Sequence, residues 1–217
     1  MASAHRTETT RPQVDPDGVL AGLELPADLD ADIAGCLPDY MLAHALFTAG
    51  TRGLAVGTAY VPASPLNTGI VFVQLATLAG WKVAASAESA AQAALLSDAG
   101  AVLAFDRTSE KPVDRIAAWT GGKGVNVVID LHAGSGFEDH LKLLADFGDL
   151  FCCGWDQGDP PDFHQMMWRN LDRCPRVRIW SLQRYRDDQA GRARLLSEVI
   201  ALMQSRGVRP PVQRTVA

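Results

Sequence analysis

The stretch "AYVPASPLNTGIVFVQLATLAGWKV", Ala59 to Val83, passes through three kinds of local pattern. Small and β-forming residues open it, so GTAYVPAS (57–64) reads as a short strand. GIVFVQLATLAG (69–80) is apolar almost all round, as a helix buried between a sheet and another layer would be. WKVAAS (81–86) returns to strand character. The link between the first strand and the helix is Ser64-Pro65-Leu66-Asn67-Thr68-Gly69, a tight turn holding one glycine.

The same alternation continues outward. Helices are expected at 88–100, 111–122, 136–148, 161–174 and 187–207, with Pro112 tolerable in a first turn. Leu195, Leu196, Val199, Ile200 and Met203 form one stripe of the last helix. Strands are expected at 101–106, 125–132, 149–155 and 176–182. VNVVIDLH is a continuous apolar run, which suits a parallel strand covered on both faces. Upstream, Pro26 and Pro38 punctuate ELPADLDADIAGCLPDYMLAHALFTAG. A short helix capped by Asp28 or Asp30 and a second from Asp39 to Ala49 follow from that spacing, with Gly50 and Gly53 ending it. Six strands alternating with helices predict an α/β fold: a doubly wound, Rossmann-like parallel sheet in three layers, α/β/α. The expected domain is 15–207, between a disordered tail at 1–14 and a C-terminal tail at 208–217.

Composition narrows the class. Apolar residues make up 47% and charged residues 21%, the balance of a soluble globular chain. A net charge of −5 leaves no basic footprint for nucleic acid. No run is apolar enough for a membrane span, and MASAHRTETTRP lacks a signal-peptide core, so a cytoplasmic location is expected. Cys152 and Cys153 are adjacent, and alternate strand residues face opposite ways. No cysteine spacing matches a zinc site. They read as buried reduced thiols, and no metal is expected.

Several side chains stand out as candidates for chemistry. Asp130 and His132 sit at the carboxyl end of a strand, where a doubly wound sheet lines its ligand crevice. They share a strand face and could act as an acid–base pair, or Asp130 could cap a loop. Tyr40 and His44, beside Asp39, lie four apart on one helix and are neighbours on its face. HQMMW after the fifth strand could floor an apolar pocket. RCPRVRIWSLQRYR surrounds an apolar strand with arginines, which suits either a pairing edge or a guarded one.

"VQLATLAGWKVAAS…LLSDAGAVLAFD…TGGKGVNVVIDLHAG…LKLLADFGDLFCCG" resembles the nucleotide-binding half of the medium-chain dehydrogenase/reductase superfamily, in its quinone oxidoreductase and enoyl reductase branch. LPDYMLAHALF (37–47) is similar to the helix that precedes the Rossmann unit there. The resemblance implies NADPH-linked reduction, zinc-independent, of a small-molecule quinone or enoyl substrate. It also implies a homodimer through the 176–182 edge strand. The family's GroES-like catalytic barrel has no counterpart in this sequence, so a separate chain supplying it is one expectation. By the resemblance, cofactor contacts fall on Ser64, Asn67, Thr68, Gly69 and Ser86. The family's glycine-rich turn maps onto Leu66, Asn67, Thr68 and Gly69, so only its last glycine is present. Glycine lets the backbone approach a pyrophosphate, and Pro65 removes a backbone donor. A threonine near the nicotinamide maps onto Ala43, and a basic residue for a 2′-phosphate near Gln92. The acidic residue expected after the second strand is missing, though Glu88 is close. Three readings stay open. One is an NADPH reductase. Another is a cofactor-independent isomerase, cyclase or lyase using Tyr40, His44, Asp130 or His132. The third is a non-catalytic dimerisation module.

Overall fold

The protein, described here by a computed structural model, is defined over residues 18, 20–27, 29, 31–160, 162–205 and 208–209. The expected tail at 1–14 and the caps Asp28 and Asp30 lie outside the described residues.

Six parallel strands form one sheet: β1 (Thr58–Pro62), β2 (Lys82–Ala87), β3 (Leu103–Asp106), β4 (Val125–Asp130), β5 (Leu144–Cys152) and β6 (Arg176–Ile179). Their order is β3-β2-β1-β4-β5-β6. The order reverses between β1 and β4, whose connections leave toward opposite faces. A crevice therefore opens at the carboxyl ends of those two strands.

Strand parity assigns each side chain to a layer. Ala59, Val61, Val83, Ala85, Val127, Ile129 and Phe151 face one core cluster. That cluster is closed by α1 (Ala31–Ala45), α2 (Leu66–Leu78), α3 (Ala90–Asp98) and α7 (Gln189–Gln204). Tyr60, Ala84, Val128, Leu150 and Cys152 face the other, under α4 (Pro112–Thr120), α5 (Phe137–Lys142) and α6 (Phe163–Arg169). These are the three expected layers. The first cluster extends past the expected domain end, because Val208 is buried within it.

Three boundaries differ from expectation. Helix α1 runs straight through Pro38 and continues as a wider π-helical turn, Leu46–Gly50, closed by Thr51 N–H donating to the Leu46 carbonyl at 2.9 Å. A proline inside a helix costs about 3 kcal/mol. Leu37, Tyr40 and Met41, all buried beside it, offset that cost through burial worth roughly 1.5–3 kcal/mol per large side chain. Helix α5 stops at Lys142 because β5 begins at Leu144, five residues before the apolar run suggests. Strand β6 is four residues long and gives way to a 3-10 turn, Leu182–Tyr185.

No helix among the described residues is long and apolar enough to cross a membrane.

Candidate functional site at the carboxyl edge of the sheet

The turn between β1 and α2 is built by one close approach. A Cβ on Gly69 would overlap Ala63 Cα and Cβ. Only glycine lets the first turn of α2 sit directly on the end of β1. The Gly69 N–H is the first donated within the helix, to the Pro65 carbonyl at 3.0 Å. The preceding N–H groups, Leu66 to Thr68, have no intrahelical acceptor by geometry and carry the positive end of the helix dipole. Pro65 is the N-cap, a position whose missing N–H takes no donor from the helix. The Leu66 side chain packs against the α1/α2/α7 cluster. Thr68 Oγ1 donates to Asp39 Oδ2 at 3.1 Å, which places a carboxyl group beside the same first turn. Burial pushes the Asp39 pKa up, and the bond from Thr68 opposes that rise.

The sequence-derived pairings are rearranged. Tyr40 and His44 bond to different partners. Tyr40 is buried, with its hydroxyl 2.9 Å from Gln74 Oε1 and 3.1 Å from the Arg209 carbonyl. Burial pushes its pKa up, with Cys36 and Asp39 adding to the rise. His44 turns instead to α7, with Nε2 3.0 Å from Glu198 Oε2. Tyr40 thus bonds toward α2 and the C-terminal segment, and His44 ties α1 to α7.

Asp130 and His132 do not form a side-chain pair. Asp130 lies on the α5 face of β4 by strand parity, fully buried. Its Oδ1 accepts the backbone N–H groups of His132 at 2.9 Å and Ala133 at 2.8 Å, and so caps the loop. Its Oδ2 faces His140 Nδ1 at 3.0 Å. Burial raises the Asp130 pKa, but the bond and charge of His140 and the two backbone donors outweigh it and hold the carboxyl below the usual 3.8. His132 crosses the crevice. Its Nδ1 is 2.7 Å from Asp156 Oδ1, and its Nε2 meets the Ser64 carbonyl. Both partners are acceptors, so both bonds form together only when both ring nitrogens carry protons. His132 therefore ties together the loops that follow β1, β4 and β5.

Ser86 is fully buried, with Oγ 2.7 Å from the Tyr60 hydroxyl, and offers nothing directly to a ribose. Burial pushes the Tyr60 hydroxyl up to about 12, with Ser86 and Arg107 opposing the rise. Just beyond, Arg107 Nη2 donates to Glu88 Oε1 at 2.6 Å, joining the ends of β2 and β3. Asn67 and Ser64 are half-buried at the turn.

The residues that sequence reasoning missed are His140 and Tyr60. Parity offered a signal for the first: Asp130 shares the face of Val128, and that face belongs to the helix carrying His140.

Zinc does not fit this donor set. Among the described residues no three His, Cys, Asp or Glu side chains gather at one point. Cys152 and Cys153 face opposite layers, and burial pushes the Cys152 thiol up to about 12, with Asp130 adding to the rise, far from the thiolate a metal requires.

The family model of zinc-binding dehydrogenases matches residues 68–184, more than half of the chain. A mycobacterial protein solved in complex with NADPH is 26% identical, with a TM-score of 0.73 over 89% of this chain and 58% of that one. Escherichia coli quinone oxidoreductase, also complexed with NADPH, is 22% identical, with a TM-score of 0.76 over 87% and 58%. Quinone oxidoreductase from Pseudomonas syringae pv. Tomato is 18% identical, with a TM-score of 0.77 over 86% and 57%. The chain thus spans under three-fifths of the length of these proteins. No curated protein matches its sequence.

Proposed function

Because the chain belongs to the zinc-binding dehydrogenase family, we propose that it is the nucleotide-binding part of an NADPH-linked reductase acting on quinone- or enoyl-type substrates. The observation that carries this reading is the seat of α2. Gly69 brings the helix N-terminus onto the end of β1, at the point where the strand order reverses. A pyrophosphate is held there by the N–H groups of Leu66, Asn67 and Thr68 and by the dipole behind them. With Leu66 packed toward the core, the backbone carries the contact. Arg107 and Glu88 stand at the ribose end and His132 at the crossing of the crevice, where they orient the ligand. Bound NADPH supplies the hydride, and the chain's own part is to hold, orient and shield it. Of the similar structures, two are complexes with NADPH and two are quinone oxidoreductases, which supports the choice of cofactor and substrate class.

The reading extends to a homodimer through β6, which ends the sheet among the described residues and exposes Ile179. Sedimentation of the chain with and without Ile179→Asp tests that assembly: a dimer that the charge converts to monomer supports it, and a wild-type monomer overturns it.

A second, redox-free reading is favoured by one observation. Ser86, Glu88 and the first turn of α2 already hold partners in Tyr60, Arg107 and Asp39. Calorimetric titration with NADPH and then NADH separates the two. Micromolar binding supports the reductase reading, and no heat up to millimolar nucleotide overturns it.

A further inference from the structure

A groove of about 680 Å³ opens where the end of α1 and the turn after it meet the Leu182–Tyr185 turn and α7. That is room for one small molecule. The groove shares no residue with the nucleotide crevice or with β6. Its walls differ in character. Ala49, Ala201, Leu202 and the Tyr185 ring form an apolar side, and Arg52 and Arg194 form a cationic one. Neither guanidinium has an ion pair or a side-chain hydrogen bond among the described residues. The neighbouring arginines do have partners: Arg176 and Arg178 lie on Asp149, and Arg173 and Arg192 hold backbone carbonyls. The one carboxylate in the groove, Glu198, sits a helical turn beyond Arg194 but faces His44 Nε2 at 3.0 Å. Thr48 is likewise engaged, its Oγ1 donating to the His44 carbonyl at 2.7 Å. Arg184 brings a third cation to the rim, with its guanidinium 4.7 Å from the centroid of the Tyr185 ring. This local excess of positive charge stands on a chain whose net charge is −5.

We propose that this groove binds a small phosphate monoester carried on a compact apolar or aromatic body. A guanidinium is a planar fork that matches two phosphate oxygens. Two such forks without partners match a dianion, whereas a monocarboxylate leaves one of them unanswered. A phosphate monoester carries that charge near neutral pH. Its body lies against Tyr185, Leu202 and the two alanines, which removes apolar surface from water. Arg184 adds to the positive field that draws the anion in. The ligand is bound and no bond is made or broken. The site does not rest on the reductase reading.

1-Naphthyl phosphate is the probe, titrated by calorimetry into the nucleotide-free full chain at low salt, beside inorganic phosphate and 1-naphthol. The expected result is saturable submillimolar binding of the ester, with either half alone about tenfold weaker or more, because only the ester joins both contacts on one body. Arg52→Met and Arg194→Met each lower that affinity about fivefold or more, the range of a charge-assisted hydrogen bond, and the double variant loses saturable binding. Both side chains are exposed, so the unfolding midpoints stay at the wild-type value and lost binding is not lost folding. Arg107→Met, in the nucleotide crevice, leaves the ester's affinity within about twofold, as expected of a distant site, which separates this proposal from the reductase reading. No saturable heat up to millimolar probe, inorganic phosphate or 1-naphthol binding as tightly as the ester, or a double variant that binds as wild type does each overturn the proposal.

Discussion

On its α2 side, the carboxyl end of β1 is shaped by backbone, and on its α5 side by side chains. Toward α2, Gly69 lies against Ala63 with no room for a methyl group, and the useful groups are N–H donors. Toward α5, Tyr60, His140 and Lys111 border an open space, and the fully buried Asp130 carboxylate stands behind the imidazole. A backbone device asks only for one glycine and tolerates almost any side chain around it, so Pro65, Leu66 and Asn67 can stand in the turn without moving the helix. A side-chain device depends on each residue named. The first explains how the chain keeps its family's fold at low identity.

The comparison breaks most sharply at Gly69. Alanine in a helix is favoured over glycine by about 1 kcal/mol, so Gly69→Ala would stabilise the protein if space existed. The overlap with Ala63 decides the sign the other way. The expected loss is about 2–3 kcal/mol, with nucleotide binding lost as the helix shifts. Denaturant unfolding checks it, and a rise in the midpoint would show that the turn is not closely packed.

On the other side, Asp130→Ala leaves two backbone donors and His140 without their acceptor. The expected loss is about 2 kcal/mol, and it has a pH signature. The folded-state pKa of Asp130 lies below its usual 3.8, so its contribution is present above that value and lost as pH falls through the folded value. Acid titrations of stability should therefore converge for wild type and Asp130→Ala at low pH and diverge above about pH 4. Parallel curves would mean that the carboxylate is not what holds the loop.

How far the sequence was legible follows the same division. Strands and layers were readable because apolar parity is written residue by residue, as in Tyr60, Val61 and the run Val125 to Ile129. The packing role of Gly69 was readable because only glycine fits a helix set onto a strand end. Pro38 misled, since local propensity cannot see that Leu37, Tyr40 and Met41 are buried together. The side-chain partners were mostly illegible. Asp130 reached for His140, ten residues on, rather than His132, because β4 ends at Asp130 and parity fails beyond it. His132 found Asp156, and Tyr40 found Gln74, across loops and helices whose spacing in sequence carries no signal.

At the far edge of the sheet a smaller effect separates buried from exposed charge. Arg176 Nη2 lies 2.6 Å from Asp149 Oδ2, and Arg178 Nε 2.7 Å from Asp149 Oδ1, the second an ion pair without hydrogen-bond alignment. Asp149 is buried, so replacing both arginines by alanine strands its carboxylate and should cost about 2 kcal/mol. Either replacement alone should cost less than half of that, because the other cation remains. Additive single losses in a double-mutant cycle would show that the two arginines do not share the carboxylate.

The smallest stability effect is expected at Glu88, and there the two sides of β1 meet in one measurement. Its bond to Arg107 is exposed, and such pairs contribute about 0.5 kcal/mol or less. Glu88→Gln should leave the unfolding midpoint nearly unchanged. In the crevice the same substitution removes a negative charge and releases Arg107, two changes that both favour a 2′-phosphate over a free ribose hydroxyl. NADPH affinity should then rise several-fold while NADH affinity falls or holds, as read by calorimetry on the same samples. Equal changes for both nucleotides would place the ribose away from β2, and the dinucleotide would have to lie along the crevice by another path than the one Gly69 and Arg107 define.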